Sequence, residues 1–260
     1  MGAHHAITGA AAWVAITASA PYLTTGIDPL GPVGVFTGTL VCAGAALLPD
    51  IDHPNSTISH SIPGVGSAFA KVVETTSGGH RHGVHSLLAA GVALAGSLLV
   101  NLIVVRTAHF GAIQIGAGLS TMALIAFALK ALKLTRGGFL LPWFVGALVA
   151  AGILLWSPQQ IAWLPIAVTV GFVVHLLGDG LTVEGVPFLW PWIPKPPRWW
   201  GDAPILGSIW KRNGYMSLPI LGRTGSVQEW LLCVAVSVYV FYTLTYEALW
   251  AFGIQMGHLF

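Results

Sequence analysis

A histidine and an aspartate four residues apart, His175 and Asp179, lie near the end of a long apolar stretch. In a helix this spacing puts the imidazole and the carboxylate on one face, close enough to act together. A carboxylate near a membrane boundary is costly unless it is paired or binds a cation, so the pair is a candidate metal site. The alternative is a hydrogen-bonded pair that only fastens two helices together.

A second cluster of metal-binding residue types follows Pro49. It contains Asp50, Asp52 and His53. If the backbone leaves the helix at the proline, the two carboxylates can converge on one or two cations. The alternative is a polar turn that caps a helix at the membrane interface.

The third cluster is rich in histidine. His80, His82 and His85 lie close together after two glycines, which is typical of metal-ligand clusters. Arg81 among them would suit an anionic oxygen such as that of a phosphate. The alternative is a solvated basic loop. His5 is a weak candidate by itself and gains weight only from its side of the membrane.

Together these clusters offer more ligands than the three or four that one catalytic zinc takes, so two metal ions are the natural prediction. Imidazole with carboxylate suits zinc, manganese or iron better than magnesium or calcium alone. A metal pair can generate hydroxide at neutral pH and hold both oxygens of a displacement, as in phosphoester cleavage. The candidate metal ligands are His5, Asp50, Asp52, His53, His80, His85, His175 and Asp179.

The elements that position these residues are membrane helices. Of the 260 residues, 55% are hydrophobic and only 8% are charged, against about 25% charged in a soluble domain. This composition predicts an all-α, polytopic membrane helix bundle of about seven spans, formed by a single integral membrane domain covering residues 1–260. The first two stretches are rich in small residues, which suit close helix packing. The stretches are 6–23, 33–49, 84–105, 111–133, 138–156, 160–182 and 227–253.

The loops between these stretches show a strong charge bias. If the chain crosses at each stretch, ten of the eleven Lys and Arg residues fall on one side, and only Arg106 falls on the other. The positive-inside rule then puts the N-terminus in the cytoplasm and the C-terminus outside. All candidate ligands fall on the cytoplasmic side, although the stretches were chosen from apolarity alone. One cytoplasmic-face metal site is therefore predicted. The ten are Lys71, Arg81, Lys130, Lys133, Arg136, Lys195, Arg198, Lys211, Arg212 and Arg223.

Two cytoplasmic loops are predicted to shape this site. Residues 50–83 form the metal-site loop, and residues 183–226 form an interfacial loop rich in Trp and Pro. Its tryptophans are typical of an interfacial belt; the functional alternative is a lip that admits lipid head groups from the inner leaflet. Arg223 lies just before the last stretch, where it could hold a phosphate, although a snorkelling residue needs no such role.

The motifs occur in an order that resembles a known family. His5–Gly9, Leu47–Pro54, Gly79–Ser86 and the stretch from His175 to Pro191 look like the YdjM-like, LexA-regulated group of bacterial inner-membrane metal-dependent hydrolases. This group is also similar to zinc-dependent phospholipase C, which implies phosphoester chemistry. His82 and Val84 depart from the family's pattern, in which these positions often carry glycine and threonine. The resemblance implies metal-binding roles for His5, Asp50, Asp52, His80, His85, His175 and Asp179.

The resulting expectation is a hydrolase of the inner membrane that cleaves a lipid-linked phosphoester at the cytoplasmic leaflet. Arg81 and Arg223 would brace the anion, and Asp52 would accept the proton.

A metal-ion transporter or a metal-binding structural protein remains the alternative. Transport requires polar residues at mid-bilayer with access from both sides, and the outer halves of the stretches hold almost no ionisable group apart from Arg106 and Asp28. The number of carboxylates argues against haem. A dense basic face for nucleic acid is missing.

Overall fold

The structure is a computed structural model that describes residues 2–20, 28–61, 66–135 and 138–254, and it is mostly helical. Helices occupy all seven predicted apolar stretches. In chain order the helices are α1 (Gly2–Thr17), α2 (Pro32–Ala45), α3 (Gly66–Ser77), α4 (Leu87–Asn101), α5 (Ile115–Ala131), α6 (Leu140–Trp156), α7 (Leu164–Gly180), α8 (Arg198–Asp202), α9 (Leu206–Ile209) and α10 (Val227–Ala251).

Three helical segments among the described residues are long and apolar enough to cross a membrane: Pro32–Asp52, Pro158–Gly180 and Val227–Ala251. Helices α4, α5 and α6 are apolar but shorter. The mostly helical class is therefore confirmed, whereas seven crossings remain a prediction.

Helix α2 packs against its neighbours at backbone distance because glycines lie at the contacts. A Cβ on Gly44 would lie 1.9 Å from the carbonyl oxygen of Leu124 in α5. On the opposite sides, Gly9 of α1 and Gly171 of α7 approach the carbonyl oxygen of Cys42, and a Cβ would lie 2.8 Å and 2.5 Å from it, respectively. Small residues allow such close approach between membrane helices. The contacts fix the ends of α1, α2 and α7 relative to one another.

Some segments differ from the predicted pattern. A short antiparallel hairpin, β1 (Val105–Thr107) with β2 (Gly111–Ile113), joins α4 to α5 and pairs Arg106 with Ala112. The predicted loop 50–83 contains α3, and the predicted loop 183–226 contains α8 and α9. Residues 62–65 of the first loop, and Arg136, lie outside the described residues.

The segment 183–226 is tied to the ends of two membrane helices. The N–H of Leu218 donates to the carbonyl of Gly180 at the end of α7, at 2.7 Å. At the start of α4, the N–H of Leu87 donates to the carbonyl of Phe188, at 2.9 Å. Residues 183–226 therefore lie over the point where α7 ends and the histidine-rich segment enters α4.

Candidate metal centre

Four segments that are distant in sequence bring their ionisable side chains together. His5 lies in the first turns of α1, and His175 lies on the last turns of α7. After α2 ends, a 3-10 turn at Pro49–Asp52 redirects the chain and presents both aspartates. A second 3-10 turn, Gly83–His85, precedes α4. The closely packed helix ends and these two turns build one cluster.

His175 is held in one tautomer by the backbone. It is fully buried, and its Nδ1 donates to the carbonyl oxygen of Ala46 at 2.7 Å, because a carbonyl can only accept. In the neutral ring, Nε2 therefore carries a lone pair. It faces Asp179 Oδ2 at 3.6 Å, Asp50 Oδ1 at 3.8 Å and His85 Nε2 at 3.3 Å. In metal-binding histidines, the ring nitrogen that does not bind the metal commonly donates to a carbonyl or carboxylate, and this bond orients the ring.

The centre of the cluster brings imidazole nitrogens and a carboxylate oxygen close together. His85 Nε2 lies 3.3 Å from His175 Nε2 and 3.4 Å from Asp179 Oδ2. Asp179 Oδ2 is buried and has no hydrogen-bond partner among the described residues. Metal–nitrogen bonds of about 2.0–2.1 Å in a tetrahedral site separate neighbouring ligand atoms by about 3.3 Å. The observed separations and the missing donors therefore fit a bound metal ion.

His5 extends the cluster on the α1 side. Its Nε2 lies 3.5 Å from Asp179 Oδ1, and its ring stacks on that of His175 with a centroid separation of 3.8 Å. Two groups each bring three ligand atoms within 4.8 Å of one another, and both contain His175. One group is His5, His175 and Asp179; the other is Asp50, His85 and His175. The cluster can therefore hold a metal ion.

Asp52 is surrounded by donors from the protein itself. It is fully buried, and its Oδ1 lies 2.9 Å from His80 Nδ1. Its Oδ2 accepts from the backbone N–H of Arg81 at 3.2 Å and lies 3.4 Å from His85 Nδ1. The sequence predicts Asp52 as a metal ligand and a proton acceptor. Because both oxygens already accept hydrogen bonds from the protein, the geometry favours a role for Asp52 in orienting the His80 imidazole.

Arg81 brings a partly buried positive charge to the cluster. Its Nη2 donates to Asp179 Oδ1 at 2.9 Å, and its Nη1 lies 3.8 Å from Glu184 Oε2, too far for a hydrogen bond. Nη1 is buried and has no hydrogen-bond partner among the described residues. Arg81 adopts φ 56°, in the left-handed region that few non-glycine residues occupy; Lys133, away from the cluster, does the same.

A second cation, Lys211, lies near Arg81. Its Nζ donates to the backbone carbonyls of Val183 and Glu184. Partial burial lowers the pKa of Lys211; Arg81 lowers it further, whereas the Glu184 carboxylate opposes this shift. No sequence pattern assigns Lys211 or Glu184 to the site, because only the path of residues 183–226 brings them to Arg81.

His53, a predicted metal ligand, and His82 lie at the margin of the cluster. His53 Nδ1 accepts from the backbone N–H of Asn55 at 3.1 Å, and its ring contacts that of His80 at a centroid separation of 4.6 Å. His82 lies beside Tyr215, with a ring centroid separation of 6.2 Å. Neither belongs to the two groups of converging ligand atoms.

Arg223, predicted to bind substrate, is exposed, and none of the cluster's ion pairs within the described part of the chain involves it. His60 and His109 are exposed and do not belong to the cluster.

A polar cavity opens on one side of the cluster. Its walls carry hydroxyl and amide groups in addition to the ionisable side chains. It is lined by His5, Asp50, His53, Asn55, Ser56, Thr57, His80 and Arg81, among others. Asp50, whose side chain is 20% exposed, is the aspartate of the cluster that reaches this cavity.

Comparison with known proteins identifies the family. The family described as YdjM inner membrane protein matches residues 1–135 and 137–250, which include the whole cluster. The chain belongs to this family. Inner membrane protein YdjM of Escherichia coli (strain K12) and that of Shigella flexneri are each 29% identical to it over 163 residues, covering 62% of this chain and 50% of the relative.

The aligned part thus spans half the length of these two curated relatives. No solved structure matches the chain. The predicted resemblance to the YdjM-like family is confirmed, and with the apolar helices it supports a location in the inner membrane.

In this YdjM family member, a buried pair that the sequence analysis overlooked joins α1 to α10. His4 Nδ1 contacts Glu229 Oε1, and the backbone N–H of Gly225 donates to Glu229 Oε2. Ser226 caps α10 and accepts from the N–H of Glu229 at 3.2 Å. The Ser-x-x-Glu spacing is a capping signature that marks this helix start in the sequence.

A further ionisable group, which no sequence pattern indicates, lies at the far end of α10. Glu247 is fully buried and accepts from the hydroxyl of Ser19 at 3.0 Å and from the N–H of Ala20 at 2.8 Å. Glu247 therefore joins Arg106 and Asp28 among the ionisable groups in the halves of the stretches that are predicted to be outer. Because Glu247 is bonded to the end of α1, it fastens two helices.

Proposed function

We propose that this protein is a membrane-embedded, metal-dependent hydrolase that cleaves a phosphoester of a lipid or lipid-linked substrate at the cytoplasmic leaflet. The proposal rests on one juxtaposition. His85, His175 and Asp179 bring metal-ligand atoms within 3.6 Å of one another, and Arg81 next to them keeps a buried Nη1 without a hydrogen-bond partner among the described residues. The first feature suits a metal cation, and the second suits an anionic substrate oxygen.

The two overlapping ligand groups would hold the metal. Mixed imidazole and carboxylate donors favour zinc, with manganese or iron as alternatives. A divalent metal supplies an activated water at neutral pH and polarises the phosphoryl oxygen, and a pair does both most effectively.

The chain's own residues would bind and orient the substrate. Arg81 Nη1 is the free donor for a phosphate oxygen, and Lys211 adds positive charge nearby. Asp50 reaches the polar cavity and is therefore the carboxylate that would accept a proton there. Asp52 would keep His80 and His85 in place.

The proposed orientation follows from the positions of the charges. Lys130, at the end of α5, donates to the carbonyl of His60 in the same segment as Asp50 and Asp52. The cluster therefore shares its end of the bundle with most of the Lys and Arg residues, which the positive-inside rule assigns to the cytoplasm. Seven crossings by one integral domain would account for this arrangement.

Glu247 argues against the transporter alternative, which requires polar residues accessible from both sides of the bilayer. The outer carboxylate, Glu247, is already bonded to Ser19 and Ala20, and so it offers no second station for an ion.

The test is an assay of purified protein against a panel of phosphoester lipids in detergent. We expect release of phosphate or a phosphorylated head group, loss of this activity with a chelator, and recovery with zinc or manganese. The variant His175→Ala should be inactive, and His109→Ala, on an exposed histidine, is the matched control. If the metal-loaded protein cleaves no member of the panel, the phosphoester assignment is refuted.

A further inference from the structure

A cavity between α1, α7 and α10 has not been assigned a role. It has a volume of about 160 Å³ and lies on the other side of His5 from the polar cavity. Its inner end carries His5 and Asp179 of the metal centre. The remaining wall is mainly apolar and includes Val174, Leu177, Leu221, Leu232 and Cys233.

The rim of this cavity faces the bilayer. Leu177 lines the cavity and is 53% exposed, although it belongs to a segment long and apolar enough to cross a membrane. On α10, the neighbouring Leu231 is 66% exposed in another such segment. Exposed leucines on membrane helices contact lipid, so the cavity opens towards hydrocarbon.

The polar groups in this cavity are already satisfied, except at its inner end. Glu229 Oε1 contacts His4, and its Oε2 accepts from Gly225. Thr8 donates its hydroxyl to the carbonyls of His4 and His5, both at 3.0 Å. A ligand would therefore meet apolar side chains along most of the cavity and metal-binding groups only at its end. Apolar cavities of about 150 Å³ stay dry and take up apolar ligands.

We infer that this cavity receives the hydrocarbon chain of an amphipathic substrate, which enters sideways from the leaflet and presents its phosphate at His5 and Asp179. The inference rests on the proposed function and specifies its substrate class. The polar cavity, with Asn55 and Ser56 in its wall, lies on the opposite side of His5 and receives the head group.

Cys233 allows the cavity to be blocked after the protein has folded. It lies in the cavity wall, whereas Cys42 is fully buried. Alkylation of the full chain with a dodecyl methanethiosulfonate would put a hydrocarbon chain where the substrate's chain is expected. The matched control is Ser237→Cys in a Cys233→Ser background. Ser237 lies one turn further along α10 and lines a different apolar cavity.

Two readouts separate this inference from the proposed function. The first is hydrolysis of a long-chain phosphoester lipid compared with water-soluble p-nitrophenyl phosphate. The second needs no activity: phosphatidic acid with a diazirine in its acyl chain is cross-linked in nanodiscs, and cross-links to the α7 peptide are counted by mass spectrometry. We expect the label at Cys233 to abolish the α7 cross-links and long-chain hydrolysis while p-nitrophenyl phosphate is still cleaved. The label at position 237 should change neither readout.

Loss of the cross-links without hydrolysis of any substrate would support the chain-binding cavity and refute the hydrolase. Cross-links and long-chain hydrolysis that survive the label at Cys233 would overturn the inference. Oxidation that links two chains through Cys233 would also overturn it, because a second copy of the chain would then cover the cavity.

Discussion

Replacing Asp52 by asparagine separates a positioning role from direct metal binding. The two side chains have nearly the same shape, but the amide offers one acceptor oxygen and one donor nitrogen. The carboxylate now accepts from the Arg81 N–H at 3.2 Å and lies 2.9 Å from His80 Nδ1 and 3.4 Å from His85 Nδ1. In either orientation of the amide, its NH2 group would face at least one of these nitrogens.

The size of the effect follows from the lost contact. A hydrogen bond to a charged group contributes about 1.5–3 kcal/mol, and about 1.36 kcal/mol corresponds to a tenfold change. We expect metal affinity to fall by about 10- to 100-fold, the range typical of residues that orient metal ligands. The number of metal ions bound at saturation should not change, because Asp52 contributes no ligand atom.

Competitive titration with a fluorescent chelator measures the affinity, and elemental analysis at saturating metal measures the stoichiometry. The control is Asp202→Asn, which removes an exposed carboxylate paired with Arg212. Loss of one metal equivalent would refute the positioning role and show direct ligation. Unchanged affinity with loss of hydrolysis would also refute it and favour Asp52 as the proton acceptor.

Three further outcomes are expected. His175→Ala should sharply reduce bound metal in elemental analysis, whereas His109→Ala should not; equal metal content in both variants would mean that His175 only braces helices. Arg81→Gln keeps the backbone N–H that donates to Asp52, so metal should stay bound. The kcat/KM for the phosphoester should fall by about 10- to 100-fold, as expected for the loss of one charge-assisted hydrogen bond. Arg198→Gln, on an exposed arginine, is the control. A reporter fused after the last residue should be active outside the cytoplasm and one within residues 200–215 inside; activity of both on one side would contradict seven crossings.

The sequence could predict which segments meet, because this depends only on the hydropathy of each stretch and on whether an odd or even number of crossings precedes it. Apolar stretches define helices, and alternate crossings put the ends of 33–49 and 160–182 and the start of 84–105 at one face. The i, i+4 spacing of His175 and Asp179 fixes their shared face without knowledge of any other residue. Small residues also indicated close packing, which occurs at Gly44 and Gly171.

The path of the loops could not be predicted in this way. Residues 183–226 carry no periodic pattern, so the contacts of Glu184 and Lys211 with the Arg81 region become visible only in three dimensions. The positive φ of Arg81 gave no signal either, because it is imposed by contacts and not by the residue type. The sequence therefore indicated fewer charged side chains near the cluster than the structure shows.

The roles within the cluster depend on which atoms face each other, and residue types do not determine this. Asp50 and Asp52 are two residues apart and chemically identical, yet one reaches the polar cavity while the other is buried against two imidazoles. The 3-10 turn after α2 directs the side chains of Asp50 and Asp52 to different sides of the chain. Asp52 then accepts hydrogen bonds from His80 and from the Arg81 N–H, and Asp50 keeps an oxygen at the polar cavity. A metal-dependent hydrolase needs one group that orients its metal ligands and another that accepts a proton. The 3-10 turn can supply both, from Asp52 and Asp50 respectively.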